Sequence, residues 1–403
     1  AVPVASAPPQ ASEMKPFACA NILLLPKGEY LKAADVLTKA EKDEANPMGS
    51  LHQFASVAVS FLTNRPETPP ASPAAADRSD LAKLSRAELR AAIPEIVARA
   101  RRTSIVILNE EHQSPRDRAF ALEVARALRP LGYSILAVEG FHSSPDAAER
   151  VRKAKRIATD GYVRLSTGVY TLDPVFAAFV RKSLALGYRP AVYDFVTAQG
   201  VRRTAAQREQ GEADNLMSGI FSKTPKAKVL IYVGYSHAAE RPLDGNTWMA
   251  ARLKRMTGID PLTIDQTTLS RTGSGGLYAA LEKRMRGRSV VPMLGGKPLK
   301  FGSLGPAVDL QVAHRPTRLL HGRPDWLFAM GRTAVEVPPK LRPRTGRVLA
   351  QAFLANEAAD AVPVDQVIAR AGGKPPPLLV PPGPLRFAVR RGFQPGDCEA
   401  APK

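Results

Sequence analysis

Short apolar runs that end in polar clusters recur through the middle of this chain. They cover residues 103–108, 134–138, 191–193 and 228–233, and a fifth run extends from Pro261 to Asp265. Stretches with helical character separate them. Continuous apolar runs of this length, alternating with helices, are typical of parallel strands buried on both faces. The pattern predicts an α/β fold in which a layered, mainly parallel sheet is flanked by helices.

Helix signals mark the segments between the runs. A capping oxygen precedes a proline at Ser114-Pro115, Ser144-Pro145 and Asp173-Pro174. Proline suits the first helical position because its missing N–H has no helical partner there. Gly187 and Gly258 follow helical stretches in the manner of C-terminal caps. These signals place one or more helices after each strand.

The regions that flank the middle of the chain differ from it in amino-acid composition and in the length of their apolar runs. Apolar runs at Ile22–Leu25 and Phe54–Leu62 are expected to pack on the main body. The composition of Pro66–Ala76 is typical of a linker, and residues 85–101 have the pattern of a helix. Beyond about Arg288 the sequence is rich in Pro and Gly and contains only short apolar runs. Three regions are predicted: an N-terminal extension and linker (1–76), an α/β core that carries the site (77–288) and a smaller β-containing C-terminal region (289–403).

Composition limits the classes of partner. A chain of 403 residues that is 44% hydrophobic can bury a substantial core. Its 57 Lys+Arg against 37 Asp+Glu give a formal charge of +20, which favours an anionic partner such as an acidic substrate or an anionic envelope surface. Nucleic acid is not expected, because basic residues are scattered, aromatics are only 6% and no zinc-finger or RNP-like motif occurs. No apolar stretch is long enough for a transmembrane segment.

The two cysteines leave two interpretations open. Cys19 and Cys398 stand near opposite ends of the sequence, where one disulfide would close a very long loop, or they are two separate thiols. The sequence begins Ala-Val-Pro-Val-Ala, as a chain does after signal-peptide removal or as a trimmed chain would. The expectation is a periplasmic or secreted protein.

Acids and histidines stand where the predicted strands end. Glu110 and His112 follow the first run and share a face, which suits general acid–base catalysis or metal ligation, although a solvated loop has the same composition. Glu139 directly follows the second run, where a charge needs a partner, and a structural pair with an arginine is the alternative. His237 comes three residues after Gly234, a residue that permits a sharp turn.

Parallel strands bring these residues together, because their carboxyl ends meet at one rim of the sheet. We therefore predict Glu110, His112, Glu139 and His237 as one catalytic set, or as the ligands of a divalent metal (Zn, Mn or Co). Ser236 is a weak candidate nucleophile, because the second glycine of G-x-S-x-G is missing.

Supporting polar residues are predicted nearby. Asp194 ends the third run, and Arg208 and Asn215 lie two turns apart on one helical face, where they would bind a substrate anion or orient Glu110 and Glu139. Arg116, with Arg118, lies in the first turn after His112 and has the same two interpretations. For Arg208, Asn215, Arg116 and Arg118, a solvated helix surface is an equally good explanation.

The set resembles a known superfamily over roughly residues 103–270. Four motifs resemble those of erythromycin esterases, ChaN-like haem-uptake lipoproteins and Tiki-type metalloproteases. They are Asn109-Glu110-Glu111-His112, Val138-Glu139-Gly140-Phe141, Arg208-Glu209 with Asn215, and Gly234-Tyr235-Ser236-His237. The resemblance implies that Glu110, His112, Glu139 and His237 line the site, with Arg208 in support. Asn109 departs from the family's usual glycine, and residues 1–100 and 290–403 show no counterpart.

Three functions follow as expectations. The preferred one is hydrolysis of an ester or amide by a His/Glu site, in which a histidine activates water with or without a metal. The second is binding of haem or another anionic ligand with His112 or His237 as the axial contact. The third is a non-catalytic protein that uses its C-terminal region for interaction.

Overall fold

The computed structural model describes residues 14–25, 27–42, 50–63, 76–197, 203–394 and 396–398. The helices are α1 Met14–Leu24, α2 Tyr30–Lys42, α3 Ser50–Thr63, α4 Arg78–Ser85, α5 Ala92–Ala100, α6 Pro115–Leu128, α7 Ala147–Asp160, α8 Pro174–Ala185, α9 Ala205–Leu216, α10 Met249–Thr257, α11 Gly275–Glu282 and α12 Asp325–Ala329. The strands are β1 Glu88–Ala91, β2 Ile105–Glu110, β3 Ile135–Val138, β4 Arg189–Ala191, β5 Val229–Gly234, β6 Leu262–Asp265, β7 Val290–Leu294, β8 Lys297–Pro298, β9 Leu310–Gln311, β10 Leu319–Leu320, β11 Arg323–Pro324, β12 Thr333–Val335, β13 Arg347–Leu354, β14 Asp365–Arg370, β15 Leu378–Val380 and β16 Leu385–Arg391.

A six-stranded parallel sheet forms the centre, in the order β4-β3-β5-β2-β6-β9. Every residue of β2 and β5 is buried, because helices cover both faces of the sheet. Their registers pair Glu110 with Gly234, so the carboxyl ends of these two neighbouring strands lie level. The predicted α/β class is confirmed.

The main differences from the predicted elements have local causes. The strand predicted over 191–193 is Arg189–Ala191, an edge strand that tolerates Pro190 because it bonds to β3 alone. The helix predicted from Ser144-Pro145 begins at Ala147, where the Asp146 side chain accepts the N–H of Ala148. The helix-like stretch over 85–101 is interrupted by β1, which pairs antiparallel with β7.

The C-terminal part contains small antiparallel sheets, of which β14-β13-β16 is the largest. The expected β-containing region is therefore present. One of its strands, β9, joins the central sheet beside β6, so the sheet continues past residue 288. The division of the chain into three regions stays a prediction.

Helices α1, α2 and α3 share the main core with the central sheet. Leu23, Leu24 and Phe61, from the two apolar runs predicted to pack on the main body, are buried in it. Cys19 in α1 forms a disulfide with Cys398, with the Cα atoms 5.3 Å apart. The predicted linker, apart from Ala76, lies outside the described residues. Among the described residues, none of the helices combines the length and apolarity needed to cross a bilayer.

Candidate functional site

Glu110 and His112 form a buried pair at the end of β2. His112 Nδ1 lies 2.9 Å from Glu110 Oε1. Arg118, in the first turn of α6, donates to both oxygens of that carboxylate, at 2.8 and 2.9 Å. Its Nη1 donates to Asp173, the N-cap of α8, at 2.8 Å, and its Nη2 to the carbonyl oxygen of His112 at 2.6 Å. The orientation of His112 is therefore fixed through a fully buried arginine.

Charge balance explains why this arrangement is stable. Burial raises the pKa of Glu110, but Arg118 and His112 outweigh burial and hold the pKa below its usual value. Burial raises the pKa of Asp173, and the pairing with Arg118 only partly opposes that rise. Glu110 is thus a carboxylate that accepts hydrogen bonds, the form that selects the Nδ1–H tautomer of His112.

Glu139 lies directly after β3, between the two predicted histidines. The backbone N–H of Gly234 donates to its Oε2 at 2.5 Å, and Arg208 Nη2 donates to its Oε1 at 2.6 Å. His237 Nε2 is 3.7 Å from Oε1. Burial raises the pKa of Glu139, but His237, Arg208 and His112 together lower it well below its usual range. The predicted alternative, a pair with an arginine, is present within the same site.

Gly234 brings the two halves of the site together. A Cβ placed on this residue would lie 2.6 Å from His112 Nε2 and 3.3 Å from Glu139 Oε2. The sequence suggested that this glycine supplies a sharp turn, but its φ is −87°, and the left-handed residue is Tyr235, with φ 40°. Gly234 is needed because the imidazole of His112 occupies the space beside its Cα.

His237 lies against two carboxylates of α9. Its Nδ1 is 2.9 Å from Glu209 Oε2 and 3.6 Å from Glu212 Oε2, and its Nε2 is 3.2 Å from Arg208 Nη1. Burial lowers the pKa of His237, but the surrounding carboxylates, Glu139 foremost, raise it to about 9. Glu209 also accepts the N–H of Met249, which fixes the carboxylate at the start of α10.

One group of side chains has the geometry of a metal site. Among the described residues, one ligand atom from each of Glu209, Glu212 and His237 lies within 4.8 Å of the others. Glu212 is 1% exposed and pairs with Arg208 Nε at 2.8 Å, and neither of its oxygens accepts a well-directed hydrogen bond from the part of the chain that the structure describes. Burial raises its pKa well above the usual value. Of the four predicted ligands, only His237 belongs to this group.

Aromatic rings enclose both histidines. Tyr170 stacks on His112 with the ring centres 3.9 Å apart, and Tyr235 meets the same imidazole edge to face at 5.1 Å. Trp248 packs edge to face on His237 at 5.5 Å. These rings leave each imidazole little freedom to rotate.

The predicted substrate-binding residues divide into two groups. Arg208 is at the centre of the site, and Asp194 lies 3.7 Å from its Nη2. Asn215 instead donates to the carbonyl oxygen of Tyr193 at 2.9 Å, so it holds the backbone after β4. Arg116 lies 3.4 Å from Ser289 Oγ, where α6 faces the loop before β7. The roles of all the predicted site residues stay predictions.

Asn109 has a structural role that the sequence did not indicate. It lies within β2 and does not have a left-handed φ, although it stands where the family that the sequence resembles usually has glycine. Its side chain donates to Asp265 at 2.9 Å and to the carbonyl oxygen of Tyr235 at 3.0 Å, and accepts the N–H of Gln266 at 2.7 Å. The amide thus joins the ends of β2, β5 and β6.

Sequence reasoning overlooked Glu212, Asp173 and Tyr170. Glu212 stands four residues after Arg208 and three after Glu209, a spacing that places all three on adjacent turns of one helix. That spacing was the available signal for Glu212. Asp173 was identified only as a helix cap, and Tyr170 gave no signal, because its contact with His112 depends on the tertiary fold.

No family model matches this chain, and no curated protein matches it. Three solved structures are similar to it. The type III effector HopBA1 is 16% identical over 57% of this chain and 97% of its own, with a TM-score of 0.34. The MARTX toxin effector domain RRSP from Vibrio vulnificus CMCP6 is 14% identical over 59% of this chain and 54% of its own, with a TM-score of 0.32, and a structure of bacterial protein toxins is 11% identical over 62% and 56%, with a TM-score of 0.35. The matches span little more than half of the last two chains. Likeness at this level says nothing about substrate. None of the three is described as an erythromycin esterase, a ChaN-like protein or a Tiki-type protease, so that resemblance stays a prediction.

Proposed function

We propose that this protein is a hydrolase of ester or amide bonds in which His112 activates a water molecule. The observation that carries the proposal is the Glu110–His112 pair, which faces Arg208 and His237 across Glu139. A general base on one side of a carboxylate and hydrogen-bond donors on the other are the groups that acyl transfer to water requires.

His112 would act as the base through Nε2. Glu110 occupies the Nδ1 side, and Arg118 holds Glu110 through both carboxylate oxygens, so Nε2 is the nitrogen left to accept a proton. Water would attack the carbonyl carbon as its proton passes to Nε2. That proton would then go to the leaving oxygen or nitrogen as the acyl bond breaks, and the imidazole would return to its starting form.

Arg208 would stabilise the developing oxyanion. Its guanidinium lies within 3.2 Å of His237 Nε2 and donates to Glu139 at 2.6 Å, so its position is set before substrate binds. Fixed donors of this kind stabilise charge that develops in the transition state without having to reorganise.

A metal-assisted form of the same reaction is supported by the Glu209, Glu212 and His237 group. The buried Glu212 oxygens without well-directed hydrogen bonds fit a divalent cation such as Zn, Mn or Co. A metal bound there would lower the pKa of a coordinated water. Metal analysis of the purified protein tests this form: a stoichiometric divalent metal supports it, and a metal-free protein with full activity rules it out.

The decisive experiment compares two histidine variants. We expect His112→Asn to lower kcat/KM for p-nitrophenyl butyrate, or for a peptide p-nitroanilide, about 100-fold or more. The matched control is His142→Asn, because His142 is an exposed loop residue after β3. Equal activity of His112→Asn and the control, with both folded, would overturn the proposal.

Export and family membership are parts of the same proposal. The Cys19–Cys398 disulfide supports maturation in an oxidising compartment, the periplasm or outside the cell. Thiol titration of the unfolded protein would find no free thiol in that case and two otherwise. The four side chains at the ends of β2, β3 and β5 support membership of the erythromycin esterase, ChaN-like and Tiki-type superfamily. Haem binding stays a prediction.

A further inference from the structure

A cavity beside the edge strand β4 takes no part in the proposed reaction. Its volume is about 390 Å³, within the range of small-molecule sites, and it lies between α7, β4 and the end of α9. Apolar side chains form much of its lining, including Ile135, Val151, Val192 and Ile220. A space of this size and character suits an apolar group of limited length.

The polar side chains known to line the cavity are cationic or neutral. Arg150, Arg189 and Lys223 line it, and among the described residues no Asp or Glu does. Arg189 and Lys223 are exposed to solvent, and Arg150 Nη1 donates to the carbonyl oxygens of Ser144 and Pro145 at 2.7 and 3.0 Å. Three cations around an apolar space are complementary to a ligand that combines an apolar chain with an anionic end.

The cavity shares a wall with the candidate site. Tyr193 lines the cavity, and its hydroxyl donates to the carbonyl oxygen of Tyr232 at 3.5 Å. The backbone N–H of Glu139 donates to that same carbonyl oxygen at 2.8 Å. Asn215, another lining residue, holds the backbone of Tyr193. A ligand in the cavity would therefore lie one side chain away from Glu139.

We propose that this cavity is a binding site for a free medium-chain carboxylate, whose alkyl chain lies against Ile135 and Ile220 and whose carboxylate meets Arg189 and Lys223. The site is separate from the proposed hydrolysis and does not depend on it. Binding of octanoate to the full chain, measured by calorimetry, is the direct test.

Chain length and charge of the ligand give the first prediction. Each methylene that enters the cavity is expected to tighten binding about fourfold, so octanoate should bind roughly 15-fold more tightly than hexanoate. Octanol, which lacks the carboxylate, should bind at least about threefold more weakly than octanoate. Equal affinity for hexanoate and octanoate would overturn the proposal, and so would a preference for octanol.

Variants of the lining give the second prediction. Val151 is 56% exposed, so a change there will not unfold the protein. Val151→Glu should weaken octanoate binding about fivefold or more, whereas Val151→Lys, which removes the same apolar contact but adds a cation, should bind within about twofold of the unmodified protein.

Lys223→Glu should weaken binding like Val151→Glu. Its control is Arg156→Glu, an equal charge change at a residue of α7 that does not line this cavity. Equal losses in Lys223→Glu and Arg156→Glu would show a general effect of surface charge and refute the site. Octanoate should bind His112→Asn normally, so a failure of the hydrolase proposal leaves this test intact.

Discussion

Replacing Gly234 with alanine tests the geometry on which the candidate site depends. The new Cβ would lie 2.6 Å from His112 Nε2, whereas carbon and nitrogen atoms in van der Waals contact are about 3.5 Å apart. The imidazole would have to retreat by about 1 Å. The backbone gives no reason for strain, because φ at this position is −87°, which alanine adopts freely.

His112 has little room for that movement. Glu110 holds its Nδ1, and Tyr170 covers one face of the ring at 3.9 Å. Overpacking of this kind costs about 1–3 kcal/mol of folding free energy. A displacement of about 1 Å in a reacting group lowers turnover about 100-fold. We therefore expect Gly234→Ala to fold, to unfold at a lower urea concentration and to lose most of the proposed esterase activity.

The assay need not rely on activity alone. The chain has six histidines, so their Cε1–Hε1 signals can be followed individually by NMR. The signal of His112 should move because its position over the Tyr170 ring changes, while that of the exposed His142 stays. Gly219→Ala is the control, because a Cβ there meets nothing within 4 Å. An unchanged His112 signal in folded Gly234→Ala would refute the reasoning.

Three further predictions concern buried charge. Arg118→Met leaves two buried carboxylates without their cation and should lower the free energy of unfolding, measured with urea, by about 3–5 kcal/mol. The exposed control Arg156→Met should lower it by less than about 0.5 kcal/mol, and equal losses would contradict the role of Arg118. Burial raises the pKa of Asp117 to about 8, so the folded state holds a proton that the unfolded state releases near pH 4, and stability falls as pH rises from about 4 to 8. Asp117→Asn should lose this slope, which is at most about 1.4 kcal/mol per pH unit, and parallel stability curves for the two proteins would show the assignment to be wrong. Glu212→Gln should weaken Zn binding at least about tenfold in calorimetry, whereas Asp214→Asn, on the exposed side of α9, should not; equal affinities would remove Glu212 from the ligand set.

The central sheet was predictable because its signal is local. Apolar runs such as 228–233 are long enough to be strands, and the polar residue that ends each run marks the rim of the sheet. Glu139 was the sharpest of these signals, since a charge directly after a buried strand requires partners. The structure supplies them from β5 and α9, two elements distant in sequence. The need for a partner could be predicted, but its identity could not.

The errors occurred where tertiary contacts override local pattern. Residues 85–101 have helical composition, yet Glu88–Ala91 becomes a strand because β7 lies alongside to pair with it. Pro190 is disfavoured in most strands but stands in β4 because that strand has one partner. Neither pairing has a signal in the sequence next to the affected residues.

The site also shows that residue type alone says little about which side chains are available to a metal ion. Glu110 and His112 have the composition of a ligand pair, but Arg118 binds both oxygens of Glu110 and donates to the carbonyl oxygen of His112. A carboxylate held in this way has little capacity left for a metal ion. Glu212 presents the opposite case, because Arg208 Nε lies 2.8 Å from its Oε1 but no well-directed hydrogen bond from the described residues reaches either of its oxygens. Glu110 and Glu212 are the same residue type, but they differ in what they can bind because an arginine reaches each of them from a different direction. The packing of α6 and α9 on the sheet sets those directions.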